Sequence, residues 1–106
     1  MSNELWVVVT TFPERESAEK VARLMVDAGL AVCAQVGADL VSFFRWEGSV
    51  NQGQEVAVTF KVLQTRLDLF TGELNLQHPY DIPQILSWPA QNVNRAYLEW
   101  AKGKAP

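Results

Sequence analysis

The feature that most restricts the fold is a pair of strand-like runs with almost nothing between them. The segment "LAVCAQVGADLVSFFRWEG" leads directly into "SVNQGQEVAVTFKV", and the turn signal between them is Glu47-Gly48. The first run is interrupted around Gly37 to Asp39, and the second alternates in hydrophobicity from Glu55 to Val62. "NQGQ" at 51–54 predicts a bulge or kink in the returning strand. Two strands of this length, joined so tightly, make a hairpin that outruns the body of a small domain. Such an arm is unstable alone in water and asks for a partner surface.

The flanking segments supply that body. "LWVVVTTF", Leu5 to Phe12, is a β-branched and aromatic run that reads as a strand at a sheet centre. Pro13, Glu14 and Glu16 suit a helix N-terminus, and Ala18, Val21, Ala22, Met25 and Ala28 follow at helical spacing. Gly29 supplies the stop. Leu63, Leu67, Phe70 and Leu74 form a second helical stripe, with Thr65 and Asp68 as a capping box. Gly72 inside it costs roughly 1 kcal/mol relative to Ala. That helix must end before Pro79, because the residue preceding a proline is pushed out of the α region; that residue is His78. "DIPQILSWP", Asp81 to Pro89, is a short strand whose proline places it at a sheet edge or starts it at Pro83. Asn92 or Asn94 caps a terminal helix carrying Ala96, Tyr97, Trp100 and Ala101.

The order is βαββαβ plus a C-terminal helix. Right-handed crossovers turn that order into an α+β, ferredoxin-like sandwich, with helices on one face of an antiparallel sheet and a long hairpin between the second and third strands. At 106 residues, 1–106 is one domain. The net charge is −3 and the nine Lys and Arg are scattered singly, which argues against a nucleic-acid partner. No apolar run approaches the ~18 residues that span a bilayer, and the N-terminus lacks a basic n-region. The expectation is a cytoplasmic protein without a membrane partner. Cys33 is the one cysteine, so an internal disulfide framework is excluded.

The chain resembles the CutA, or divalent-cation tolerance, family. The carriers are "VVVTTFPERESAEKVARLMVDAGLAVCAQV", "SFFRWEGSVNQGQEVAVTFKV", "HPYDIP" and "NRAYLEW", which stand in the expected order over almost the whole chain. The resemblance implies a ferredoxin-like subunit in a tight homotrimer, similar in architecture to the PII signalling proteins. It also implies a link to tolerance of copper and other divalent cations, with no enzymatic activity and no required cofactor. The sequence departs from the family pattern after Cys33, where Ala34 and Gln35 replace the usual Val-Asn, and at Gly72 in the second helix.

The residues themselves leave alternatives open. His78, the only histidine, can hold a soft or borderline metal through a neutral imidazole nitrogen. It can equally cap the second helix, with a ring nitrogen on a carbonyl near the Pro79 turn. No nucleophile or paired carboxylate at a telling spacing accompanies it, so no catalytic residue is assigned. Cys33 is a small core residue or, as a thiolate, a metal ligand. In a ferredoxin-like sheet the second and fourth strands sit at opposite edges, three spacings or about 14 Å apart. Cys33 and His78 therefore share an ion, Cu(II) or another divalent metal, only across a subunit boundary, together with acidic Asp81 or Glu47. Trp6 reads as core, whereas Arg45-Trp46-Glu47 at the hairpin tip reads as a subunit-contact element. Lys61, with Arg45, Tyr80 and Tyr97, are candidates to line an intersubunit cleft.

Three functions compete. The first is a trimeric metal-tolerance protein whose partners are its own copies and divalent ions, bound weakly because no dense ligand motif is present. The second is a PII-like sensor or adaptor with a small anion in its intersubunit clefts, an argument by fold analogy. An acylphosphatase-type enzyme is third, and it lacks the phosphate-binding first loop.

Overall fold

The computed structural model describes residues 3–103. The elements follow the expected order: β1 (Leu5–Phe12), α1 (Arg15–Asp27), β2 (Cys33–Trp46), β3 (Ser49–Leu63), a 3-10 turn (Gln64–Arg66), α2 (Leu67–Gln77), β4 (Ile85–Pro89) and α3 (Arg95–Ala101). The four strands form one antiparallel sheet in the order β2-β3-β1-β4, so β2 and β4 are its edges. Proline-containing β4 is an edge strand as expected, but it starts at Ile85, after Pro83.

The core lies between the sheet and the two long helices. Val8 and Phe12 of β1, and Val56, Val58, Phe60 and Val62 of β3, point to one face. Ala18, Val21, Ala22 and Met25 of α1, with Phe70 and Leu74 of α2, close over them. The α1 stripe stops at Met25; Ala28 is the C-cap and is exposed. There Gly29, at φ +74°, donates to the Val26 carbonyl while Leu30 N–H reaches the Met25 carbonyl, a Schellman ending. Helix α1 begins at Arg15, with Glu14 as its extended N-cap rather than Pro13 opening the helix.

Two expectations fail locally. Leu63 ends β3 instead of starting a helix, and Thr65 sits in the 3-10 turn, so the Thr65–Asp68 capping box does not form. Arg66 is the N-cap of α2 and makes no side-chain cap bond. The chain leaves the strand through a tight turn, which uses up the residues the box would need. The predicted bulge at 51–54 is also absent: Asn51 to Gln54 pair in continuous register with Phe44 to Val41. Gly53 pairs with Ser42, and a Cβ at this position would make only an ordinary van der Waals contact with the Phe44 ring, at 3.6 Å.

The irregularity lies on the partner strand, at the interruption the sequence marks. Val36 pairs with Val58 and Asp39 with Val56, so β2 advances three residues while β3 advances two. One extra residue reverses the alternation of β2. Before the bulge, Cys33 and Gln35 share a face with Lys61 and Thr59; after it, Ser42 and Phe44 share that same face with Gly53 and Asn51. Arg15 staples the bulge, donating to the Gly37 carbonyl at 3.1 Å and to Asp39 at 2.9 Å. Beyond it the hairpin continues to a two-residue turn, with Glu47 at φ +50° and Gly48 at φ +80° as a type I′ turn requires. The arm stretches the molecule to 48 × 27 × 23 Å.

The terminal helix is capped by Asn94, whose Oδ1 accepts the Ala96 N–H at 2.9 Å. It returns to the start of the sheet, where Lys102 pairs with Glu4 at 2.9 Å. Trp6 is half-buried rather than core, and its indole N–H donates to the Asn3 carbonyl.

Candidate functional site

The most organised polar structure in the chain is built around the turn "HPYD". Pro79 holds His78 in an extended conformation (φ −70°, ψ 137°) at the end of α2, and the His78 N–H closes the helix on the Leu74 carbonyl. From there the imidazole turns inward. It stacks on Phe12 with ring centroids 4.4 Å apart and planes 15° from parallel, and is 7% exposed. Nδ1 accepts the Tyr80 N–H at 3.2 Å, while Nε2 lies 3.0 Å from the buried Thr10 hydroxyl. An accepting Nδ1 fixes the proton on Nε2, which then donates to Thr10. The expected cap on a carbonyl is thus inverted: the ring accepts a backbone N–H. Burial lowers the His78 pKa below its ordinary 6.5, against the opposing pull of the Thr11 backbone and the Glu55 charge.

Tyr80 carries the network to the other face of the sheet. Its hydroxyl donates to Glu55 Oε2 at 2.9 Å, beside the Thr11 hydroxyl at 3.0 Å. Ser42 donates to Glu55 Oε1 at 2.7 Å. Burial by itself would raise the carboxyl's pKa, but the Ser42, Tyr80 and Thr11 hydroxyls outweigh it and hold Glu55 below its ordinary 4.5. Burial and the Glu55 carboxylate push Tyr80 up to about 12. Ser42 reaches Glu55 because the β2 bulge has already turned it to this face. No ion pair to Glu55 exists among the described residues.

Above this cradle lies a cleft of about 800 Å³ between the hairpin arm and the loop after α2. Phe44, Trp46, Tyr80, Glu55 and Asp81 are among its lining residues, and no Lys or Arg is. A smaller cleft of about 400 Å³ opens on the other side of Glu55, next to the Arg15–Asp39 pair.

The other candidates sit apart. Cys33 is half-exposed at the start of β2, and its Sγ lies 3.3 Å from the Tyr97 hydroxyl. Burial, reinforced by that thiol, raises Tyr97 to about 12. Lys61, opposite Cys33, donates to the Gln35 side chain. Arg45 pairs with Val50 near the hairpin tip, eleven residues along β3 from Lys61, or roughly 36 Å of strand. Within one chain these two cations do not share a cleft. Cys33, His78 and Asp81 are not brought together either, and among the described residues no three His, Cys, Asp or Glu side chains gather closely enough to hold a metal ion. Trp46, 53% exposed, and Glu47 form the free tip of the arm.

Sequence reasoning singled out His78 and Asp81 as metal ligands and Tyr80 as a cleft residue, and it missed Glu55, Ser42, Thr10 and Thr11. One signal was available: Glu55 is the acid that opens the otherwise apolar alternation of "EVAVTF". Its hydroxyl donors come from two other strands and a loop, at separations that leave no periodic trace.

The fold and this site define a small ferredoxin-like domain with an open sheet face, a projecting arm and a hydroxyl-clamped carboxylate beneath it. The chain belongs to the CutA1 divalent ion tolerance protein family, whose model matches residues 6–104. It is similar to the divalent-cation tolerance protein CutA of Pyrococcus horikoshii, with 37% identity covering 89% of this chain and 91% of that protein. It is also 34% identical to a chloroplastic CutA of Arabidopsis thaliana, covering 91% of this chain but 53% of the relative. The chain therefore spans about half the length of that plant relative. Among solved structures, CutA from Synechococcus elongatus superimposes with a TM-score of 0.92 at 28% identity, covering 99% of this chain and 93% of that one.

Proposed function

We propose that this chain is the subunit of a homotrimeric divalent-cation tolerance protein that binds Cu(II) or a similar ion weakly. The observation that carries the assembly is exposed apolar surface on both faces of the sheet and its arm. Phe43 is 68% exposed and Val50 66%, both on the arm's continuation of the helix-side face; Leu86 and Trp88 stand half-exposed opposite Val9 and Val7 on the sheet face away from the helices. Surface of this kind marks a contact site. Closure of three copies would cover it and give the arm the partner surface it needs, with Arg45, Trp46 and Glu47 at the contact.

The family's description as a divalent ion tolerance protein supports an interaction with metal ions. The donor set supports weak binding. Each nitrogen of His78 is engaged, so ligation costs one of its hydrogen bonds. Cys33 and Asp81 are open to solvent at separate places in the chain and would join His78 only across a subunit boundary. Such a protein binds its ion without catalysis and acts in the cytoplasm. No helix among the described residues is long and apolar enough to cross a membrane. The rival reading, an anion in an intersubunit cleft, gains no support from the single-chain cleft beneath the arm, whose lining carries Glu55 and Asp81 and neither Lys nor Arg.

Light scattering on the purified chain tests the trimer: a monomer at micromolar concentration would end this reading. Calorimetric titration with Cu(II), on the wild type and on His78→Ala and Cys33→Ser, tests the metal. Saturable binding per trimer that either substitution removes supports direct metal tolerance; no saturable binding by the wild type refutes it.

A further inference from the structure

We propose that the outer face of α2 is a self-association surface, on which α2 of a second copy packs antiparallel about a two-fold axis at Gly72. The surface lies on the side of α2 turned away from Phe70 and Leu74, and it shares no residue with the sheet face, the arm or the metal candidates. The inference is therefore independent of the trimer and the metal readings.

The two helices that cover the sheet present different outer faces. On α1 the exposed positions include Glu16, Glu19, Lys20, Arg23 and Asp27, and Arg23 pairs with Asp27 at 3.4 Å, as expected of a helix face in water. On α2, Leu69 is 63% exposed and Leu76 79%, the latter more than any other large apolar side chain among the described residues. They stand one above the other at i and i+7, with exposed Gly72 between them.

This pattern specifies a second copy as the occupant because it is complementary to itself. Leu69 lies three residues before Gly72 and Leu76 four after it. A two-fold axis at Gly72 brings each Leu69 within one residue, about 1.5 Å of axial rise, of Leu76 of the second copy. With Gly72 at the crossing, the axes approach to the ordinary distance of about 8–10 Å, which an alanine would also permit.

The polar flanks match under the same operation. Helical spacing puts Arg66 and Glu73 on one side of the stripe and Asp68 and Asn75 on the other. Antiparallel pairing sets like flank against like flank. Arg66 then meets Glu73 of the second copy at an axial offset of about 7.5 Å, within reach of two long side chains. Asp68 meets the Asn75 amide at an offset of about 1.5 Å, and each partnership occurs twice. Arg66, Asp68 and Asn75 make no side-chain hydrogen bond or ion pair among the described residues, and Glu73 accepts only the Gln77 amide, on Oε2 at 2.8 Å. Opposed helix dipoles favour the same direction.

The seam is short. α2 has 11 residues, or about 16 Å of helix, which places the contact among transient interfaces, below the about 1,200 Å² that a stable complex buries. The expected dissociation constant is on the order of 0.1–1 mM. An oligomer that displays several copies of α2 gains from avidity.

The test is sedimentation equilibrium of the full chain from about 10 µM to about 1 mM. The average mass of the wild type is expected to climb reversibly above its dilute value. Leu69→Lys combined with Leu76→Lys, which keeps good helix formers in an exposed helix face, should hold the mass at the dilute value throughout. Arg66→Glu alone should weaken association severalfold by setting acid against Glu73, and Arg66→Glu combined with Glu73→Arg should restore it to within about twofold. That rescue is the mark of self-pairing in this register. A wild-type mass that stays constant up to about 1 mM, a leucine double variant that associates like the wild type, or a charge exchange that rescues nothing would each overturn the proposal. So would a leucine double variant whose dilute mass falls below that of the wild type, because the face would then be packed inside the basal oligomer. Should that variant fail to fold, as judged by circular dichroism, the concentration series and the charge exchange decide the matter.

Discussion

β3 is one strand with two different lives. From Val56 to Val62 every second side chain is buried under α1 and α2, and Val58, Phe60 and Val62 are fully sealed. From Ser49 to Gln54 no side chain is buried, although the strand is paired without a break. The hydrogen bonds of the sheet are the same along both halves; the apolar cover is not. Backbone pairing alone does not hold a two-stranded ribbon in water. The inner half is thus stabilised within the chain, whereas the arm depends on contacts the chain does not contain. Glu55 sits at the boundary, clamped by hydroxyls from β1, β2 and the loop after α2.

The largest expected effect breaks the inner half. Phe60 is fully buried and meets Phe70 edge-on, with ring centroids 4.9 Å apart. Phe60→Ala should cost about 3–5 kcal/mol of unfolding free energy, measured by urea denaturation. The corresponding arm substitution, Phe43→Ser, should leave the unfolding free energy of a dissociated chain within about 0.5 kcal/mol. Its effect should appear in light scattering, as a shift toward lower mass at a given concentration. Equal loss of stability at the two positions would erase the distinction between the halves.

At the boundary, Tyr80→Phe removes one donor from Glu55 and leaves the ring in place. A loss of about 1–3 kcal/mol is expected, because a half-buried carboxylate loses a charge-assisted bond. The pH dependence sharpens the same point. His78 and Glu55 both have folded pKa values below their ordinary 6.5 and 4.5, so the unfolded chain binds protons first. Their stabilisation is complete above the ordinary values and drains away as pH falls through the folded ones. Thermal melts should therefore decline in two stages, the first beginning below about pH 6.5 and the second below about pH 4.5. At the alkaline end the sign reverses. Tyr80 is raised to about 12, so its contribution is full below pH 10.0 and lost as pH climbs toward 12. Tyr80→Phe should abolish that alkaline decline only in part, since Tyr97 is raised as well.

Most of the fold was legible because its signals are local and periodic. The stripe in α1, the alternation in β3 and the Glu47-Gly48 turn each need no knowledge of distant residues. The capping box failed for a local reason of its own. Thr65 has the right chemistry and spacing, but the chain is still leaving β3 when it reaches that residue. The site was half legible. His78 and Tyr80 announce themselves through the proline between them, whereas Ser42 reaches Glu55 only because a bulge inverts β2. The sequence marked that interruption, yet its consequence for which side chains face Glu55 depends on register, which composition does not carry. The single-chain metal site was disfavoured from strand order alone, and β2 and β4 do occupy opposite edges.

The smallest prediction concerns α2, which both halves leave exposed on its outer side. Gly72 lies in the middle of this helix, is exposed, and a Cβ built there meets nothing within 4 Å. Its φ is not positive, since the positive-φ glycines are Gly29, Gly48 and Gly103. Nothing in the fold of the described residues therefore calls for glycine at this position, and its extra freedom in the unfolded chain is a pure cost. Gly72→Ala should raise the unfolding free energy by about 0.5–1 kcal/mol. It should leave the light-scattering mass and the acid and alkaline limbs of the stability profile where they were. A substitution that lowered stability instead, with the helix intact by circular dichroism, would mean that this face of α2 is packed against something in the assembled protein. The inner half would then share the arm's dependence on contacts outside the chain.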